Sequence, residues 1–166
     1  MLKVIFFIYF LLVLPNVSNA KSYKDKIYYP VGDGPFMVAI LSHGRGGPSP
    51  KYHKVAMVMA KRGSMAAIVL DHYSERGLTG KHGQRNFTAK EVAQYRLEDV
   101  LNVLKDLKNH PRINRKKVVL SGWSAGAGIV VPLISNPLVV DIPEDIKIVG
   151  AVLTYPSTWH CYREIE

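Results

Sequence analysis

The chain is 166 residues long, room for one domain, and carries 22 basic against 13 acidic residues, a formal net charge of +9, with Cys161 as its single cysteine. One cysteine excludes an internal disulfide and leaves either a free thiol or a thiol whose partner lies elsewhere. A basic excess can signal a nucleic-acid or membrane partner, but here the cations are spread out. The densest group, Arg112-Ile113-Asn114-Arg115-Lys116-Lys117, falls between a predicted helix and a predicted strand and has no interleaved aromatics, so it reads as a solvated connecting turn. No specific nucleic-acid partner is expected.

Residues 1–20, MLKVIFFIYFLLVLPNVSNA, have the layout of a secretory signal peptide. Lys3 gives a basic start, Val4 to Leu14 is an unbroken apolar run, Pro15 breaks it, and Ser18 and Ala20 put small residues where a signal peptidase reads. Eleven apolar residues fall short of the ~20 that span a bilayer, so no stable membrane insertion is expected after cleavage. The domain is then residues 21–166, with a charge of +8 once Lys3 is gone, and the expected location is secreted or periplasmic. Asn86-Phe87-Thr88 has the form of a glycosylation acceptor.

Strands and helices alternate along the rest of the chain. Gly34 to Leu41 reads as a strand entering the core, and HGRGGPSP follows it as a loop. Lys51 to Lys61 carries Tyr52, Val55, Ala56, Val58 and Met59 at helical spacing, and Gly63 closes that helix. Ala66 to Leu70 is a short apolar strand. Residues 71–88 form a long polar, glycine-punctuated loop of the kind that often carries function. Ala89 to Lys108 is the clearest helix, with Val92, Tyr95, Asp99, Val100, Val103, Leu104 and Leu107 recurring at threes and fours. Val118 to Leu120 predicts a strand, Ala125 to Leu133 a helix, and Ile148 to Thr154 the last strand. Apolar strands separated by helices predict an α/β fold, a mostly parallel sheet covered on both faces. In such folds the chemistry gathers at the carboxyl ends of the strands, here residues 42–50, 71–88, 121–126 and 155–161.

The sharpest motif is Gly122-Trp123-Ser124-Ala125-Gly126, a G-x-S-x-G lying directly between a predicted strand and a predicted helix. That context makes it a nucleophile elbow: Ser124 sits on a turn so tight that Gly122 and Gly126 must be small, and its hydroxyl projects at the top of the sheet. The Ala125 N–H points into the same space. His43-Gly44-Arg45-Gly46-Gly47 follows the first predicted strand of the alternation, as an oxyanion loop should. Gly44, Gly46 and Gly47 leave backbone N–H groups unobstructed, and the N–H of Arg45 or a neighbour is the expected second donor. His43 reads as a brace of that loop, with general base as the alternative.

At these residues the chain resembles a known family. SHGRGG at 42–47, LDHYSERG at 70–77 and GWSAGAG at 122–128 look like the dienelactone hydrolase-like branch of the α/β-hydrolases, as do Arg96-Leu97-Glu98-Asp99 and the final Thr154-Tyr155-Pro156. The resemblance covers about residues 30–160 and implies a three-layer α/β-hydrolase sandwich, with Ser124 as nucleophile and oxyanion donors at Ala125 and near Arg45. True dienelactone hydrolases carry cysteine where this chain has Ser124, which sets it apart from their lactone specificity. Arg76 falls near an arginine that grips a substrate carboxylate in some members; an exposed loop arginine is the competing reading.

In this fold the triad runs Ser, acid, His. After Ser124 the chain offers Asp141, Glu144, Asp145, His160, Glu164 and Glu166. Asp141 and Asp145 precede the last predicted strand and so belong at its amino end, away from the pocket; His160 lies past its carboxyl end. The resemblance places acid and base after later strands. The expectation is therefore a domain incomplete at its C-terminus, with His160 as a minor candidate for the base. No metal or other cofactor is expected, because His53, His72 and His82 form no ligand spacing, and Gly77 to Arg85 lacks the phosphate-loop pattern. The expected activity of the complete protein is hydrolysis of small-molecule carboxylic esters through an acyl-enzyme. The alternatives are a noncatalytic binding domain and a basic secreted protein that binds a polyanion. N-terminal sequencing of exported protein should begin at Lys21; a soluble product that retains Met1 would refute the export reading.

Overall fold

The computed structural model describes residues 26–79, 86–135 and 141–156. Residues 1–20, His82, His160 and Cys161 lie outside these. Five strands, β1 (Ile27–Tyr28), β2 (Phe36–Ser42), β3 (Ala66–Val69), β4 (Ile113–Trp123) and β5 (Ile148–Thr154), form one sheet in the order β1-β3-β2-β4-β5. All neighbours are parallel except β1 and β3. Three α-helices complete the fold: α1 (Pro50–Gly63), α2 (Ala89–Asp106) and α3 (Ala125–Ser135).

β2, β3 and residues 118–120 of β4 are apolar because both faces of the sheet are covered there, and alternate residues go to different helices, whereas Val149, Val152 and Leu153 of β5 are exposed. Val38 and Ile40 of β2, Ala66 and Ile68 of β3 and Val118 and Leu120 of β4 pack with Val100, Val103 and Leu104 of α2 and Ile129, Val130 and Leu133 of α3. Ala39, Leu41, Ala67 and Val69 face the other way, onto Tyr52 and Ala56 of α1. The period of two is therefore real, but it separates two buried faces rather than a wet one from a dry one. At α2 the start is set by a capping box, in which Glu91 N–H donates to the Thr88 hydroxyl and Thr88 N–H to the Glu91 carboxylate. Among the described residues no helix is long and apolar enough to cross a membrane.

Two elements differ from the sequence expectation. β1 was not predicted; with two residues it has no periodicity to read, and only its antiparallel pairing with β3 makes it a strand. β4 begins at Ile113 rather than Val118, so Ile113 to Lys117 belong to the strand and not to a connecting turn. Their polarity hid the strand because this end projects past the core. Ile113 pairs with Phe36 and is buried, while Lys116 and Lys117 are exposed. Arg115 pairs with Asp145, and Arg112 stacks on Tyr29 and donates to the carbonyls of Pro30 and Gly32.

The chain leaves β2 for a helix on one face of the sheet and leaves β4, the next strand, for a helix on the other. Adjacent strands whose connections part in this way open a crevice at their carboxyl ends. It brings residues 43–49 beside the start of α3. The approach is close enough that a Cβ on Gly126 would stand 2.3 Å from the Ser42 carbonyl oxygen, and one on Gly122 would stand 2.4 Å from the Gly126 backbone. Both neighbours are main chain and cannot rotate aside. Gly126→Ala should lower the unfolding free energy in urea by about 1–3 kcal/mol, the usual cost of overpacking; an unchanged denaturation midpoint would show that the first turn of α3 and the end of β2 are not pressed together.

Candidate active site

Ser124 occupies the single residue between β4 and α3, with φ 52°. This is the left-handed region, which a non-glycine residue adopts only where its surroundings hold it. Two hydrogen bonds do so: Ser124 N–H donates to the Thr154 carbonyl at the end of β5 (3.0 Å), and the Ser124 carbonyl accepts from Gly128 N–H as the first turn of α3 (3.1 Å). Ala125 opens that helix, where the first backbone N–H groups have no partner within the helix and the dipole favours negative charge. Beside it, a Cβ on Gly44 would lie 3.5 Å from the Ser124 Cβ, so the 43–47 loop borders the serine through its backbone. Gly47 has φ 84°, which closes the loop into a turn with its N–H on the Gly44 carbonyl (3.2 Å). Gly46 is exposed with open space around it.

His43 is fully buried. Its Nδ1–H donates to the Gly44 carbonyl (2.7 Å), so Nε2 is the acceptor, and it receives the His72 N–H (3.2 Å). Burial, then the neighbouring His72 and the Arg96 charge, push its pKa down to about 2. A neutral ring with both nitrogens engaged braces the loop and leaves no nitrogen for the Ser124 proton.

Beneath the loop lies a polar network that the sequence reading did not single out. Ser42 Oγ is 2.7 Å from His72 Nε2, and His72 Nδ1 is 2.7 Å from Asp99 Oδ2. Arg76 grips Asp99 with both guanidinium nitrogens (3.0 and 2.9 Å), donates to the His72 carbonyl (3.1 Å) and stacks on the Tyr95 ring. Ser42, His72 and Asp99 thus repeat the connectivity of a catalytic relay, but Ser42 and His72 are buried, with 1% and 0% of their surface exposed, and no substrate reaches them. Burial holds His72 neutral, well below its usual pKa. Arg96 is also fully buried; it donates to the carbonyls of His43 (2.7 Å) and Gly44 (3.4 Å) and to the Tyr73 hydroxyl (3.3 Å), which in turn donates to the Arg45 carbonyl (2.5 Å). The signal for these residues was present in the sequence: Arg96 and Asp99 are charges three apart on the buried stripe of α2.

The remaining predicted site residues lie elsewhere. Arg76 is partly exposed and engages Asp99 and Tyr95. Asp141 and Asp145 pair with Lys105 and Arg115 and precede β5, at the opposite end of the sheet from Ser124. His53 pairs with Tyr28 (2.9 Å) and His110 with Asp106 (3.4 Å). Among the described residues no group of three or more potential metal ligands occurs.

The buried histidines predict a pH dependence. His43 and His72 take up protons on unfolding once the pH falls below the unfolded value of 6.5. Their contribution is therefore complete above that pH and is lost as pH falls, by about 1.4 kcal/mol per pH unit for each ring. Burial pushes Asp71 up, but hydrogen bonds from Ser74, Tyr73 and Lys26 outweigh it and hold the carboxyl low, which adds to the loss at more acidic pH. Asp99, pushed up by burial, acts in the opposite sense in that carboxylate range. Urea unfolding free energies should fall steadily from about pH 7 to about pH 5; a flat profile would mean that the two rings are not held neutral.

No family model matches the chain. It is 28% identical over 162 residues to Esterase EstD of Thermotoga maritima, covering 86% of this chain and 35% of that protein. Among solved structures it is similar to a Klebsiella pneumoniae protein assigned as a dienelactone hydrolase, with 18% identity and a TM-score of 0.58 over 75% of this chain and 50% of that one. Esterase LipW of Mycobacterium marinum gives 20% identity and a TM-score of 0.56 over 78% of this chain and 38% of that one. Butyrate-bound esterase Est2 of Thermogutta terrifontis gives 21% identity and a TM-score of 0.55 over 78% and 47%. The chain spans about a third of the length of EstD and half or less of these solved chains. A mostly parallel sheet with helices on both faces, an elbow serine between β4 and α3 and these neighbours give the chain the α/β-hydrolase fold, in the form seen in esterases and dienelactone hydrolase-like proteins.

Proposed function

We propose that the chain supplies the nucleophile and oxyanion hole of a serine hydrolase acting on small carboxylic esters. The observation that carries this reading is Ser124 in the left-handed conformation at the strand-to-helix junction, with the Gly44 backbone against it. In the proposed reaction Ser124 Oγ attacks the ester carbonyl carbon. The carbonyl oxygen takes the electron pair and is held by the N–H groups of Ala125 and Arg45. Collapse expels the alcohol and leaves an acyl-serine, which water then hydrolyses. Each oxyanion donor of this kind contributes about 3 kcal/mol in the transition state.

The base that takes the Ser124 proton and the acid that orients it are assigned to sequence outside the described residues, and the activity to the complete protein. Support comes from the histidines at 43, 53, 72 and 110, whose hydrogen bonds and ion pairs run to other groups. The same observation favours one alternative, a noncatalytic domain that keeps the fold and the cleft. The export reading of residues 1–20 places the protein outside the cytoplasm.

A fluorophosphonate probe distinguishes the two, because it bonds only to an activated serine. The complete protein should be labelled at Ser124, and Ser124→Ala should abolish both labelling and p-nitrophenyl ester turnover. Absence of labelling in folded protein would select the noncatalytic reading. Loss of labelling in His160→Ala alone would make His160 the base.

A further inference from the structure

Three consecutive carbonyl groups in the 43–47 loop turn into the protein. The His43 carbonyl is held by Arg96 (2.7 Å), the Gly44 carbonyl by the His43 ring (2.7 Å) and Arg96 (3.4 Å), and the Arg45 carbonyl by the Tyr73 hydroxyl (2.5 Å), itself in contact with Arg96 (3.3 Å). In a planar trans peptide the C=O and the following N–H point in opposite directions. Holding these oxygens inward therefore turns the N–H groups of residues 44, 45 and 46 to the other side. That of Gly44 meets the Tyr52 hydroxyl (3.0 Å), and it is at Gly44 that the loop borders Ser124.

We propose that Arg96 is the positioning residue of this loop: its buried guanidinium fixes the peptide planes so that the Arg45 and Gly46 N–H groups face the oxygen that becomes negative during attack by Ser124. The proposal rests on the hydrolase reading above and names the device that would make its oxyanion hole rigid. A guanidinium suits the task because its planar fork reaches two carbonyls and a hydroxyl from one side, and because it stays charged at any working pH. It has no contact with substrate. Arg96 is itself set among fixed groups. Its ring neighbour Tyr73 is packed edge-on against His43, with centroids 4.8 Å apart, and the His72 backbone donates to His43. His72 is in turn held between Ser42 and Asp99, which Arg76 grips from the far side. The chain of contacts runs from the partly exposed Arg76 and Asp99 through buried His72 and His43 to the loop, and gives the hole its support.

The test uses Arg96→Lys, which keeps a cation and loses the fork, and Tyr73→Phe, which loses one hydroxyl and keeps the ring. Should the first not fold, the second decides. Two readings are taken on the complete protein: amide hydrogen exchange across residues 43–47 against that of β2 and β4, and the rate of fluorophosphonate bonding to Ser124. Both variants should speed exchange in 43–47 selectively and slow Ser124 labelling, by about 100-fold for Arg96→Lys and about 10-fold for Tyr73→Phe, while the strands exchange as in the wild type. Exchange in 43–47 equal to wild type, or labelling within about twofold of it, overturns the proposal. So does faster exchange spread evenly over the sheet, which a role in stability alone would give. If wild-type protein is not labelled, the hydrolase reading fails by itself, and the exchange result alone then judges whether Arg96 positions the loop.

Discussion

The site depends on one close approach, that of the first turn of α3 to the end of β2. Gly126 lies against the Ser42 carbonyl with no room for a methyl group, and Gly122 lies in the same way against Gly126. Without those contacts the loop after β2 and the serine after β4 would stand apart by the width of a side chain. With them, the two segments that diverge to opposite faces of the sheet share one crevice at its carboxyl edge. The left-handed backbone of Ser124 follows from the same constraint. The chain must turn from strand to helix within one residue, and the hydrogen bonds from Ser124 to Thr154 and from Gly128 to Ser124 leave it no extended alternative. Such a conformation costs on the order of 1–3 kcal/mol, so it persists only because the surrounding packing over-determines it.

Under this crevice the protein keeps charge where a core of this size would normally be apolar. Taking a guanidinium out of water costs on the order of several kcal/mol. For Arg96 the loss is offset by acceptors already fixed in place, each hydrogen bond to a charged group returning about 1.5–3 kcal/mol. The same neighbourhood holds His43 and His72 neutral by burial, and that neutrality fixes their tautomers: each ring has one donor and one acceptor nitrogen, and each is used. An apolar core could match the stability of this network. It could not hold three adjacent carbonyl groups in one direction, because only a donor at a defined position does that. On the proposed reading, function and stability draw on the same residues.

Much of the architecture was legible in the sequence because it is written in periodicity and in glycine. The α2 stripe, the apolar runs of β2 and β3 and the G-x-S-x-G between strand and helix each have a single physical reading, and each element occurs where it was expected. β1 was not legible, since two residues form a strand only by pairing with β3. The first half of β4 was masked by its own charges, Arg115 pairing with Asp145 and Lys116 and Lys117 lying exposed. Arg96, His72 and Asp99 were visible as residue types, but their roles were not. A charge on a buried stripe can be an error of register or a network, and only the distances among three separate segments decide. Arg76 shows the converse: its place in a polar loop suggested a ligand or solvent, whereas it is only partly exposed and engages Asp99 and Tyr95.

The central claim is that residues 43–47 and the start of α3 present backbone N–H groups to an oxyanion on Ser124. A crystal structure of the complete protein with a phosphonate bonded to Ser124 Oγ tests it most directly. The phosphonyl oxygen should lie about 2.7–3.1 Å from the N–H nitrogens of Ala125 and of Arg45 or Gly46, with the Arg96 contacts to the His43 and Gly44 carbonyls unchanged. An adduct whose oxygen turns away from both N–H groups, or one that forms only after the loop carbonyls leave Arg96, would contradict it.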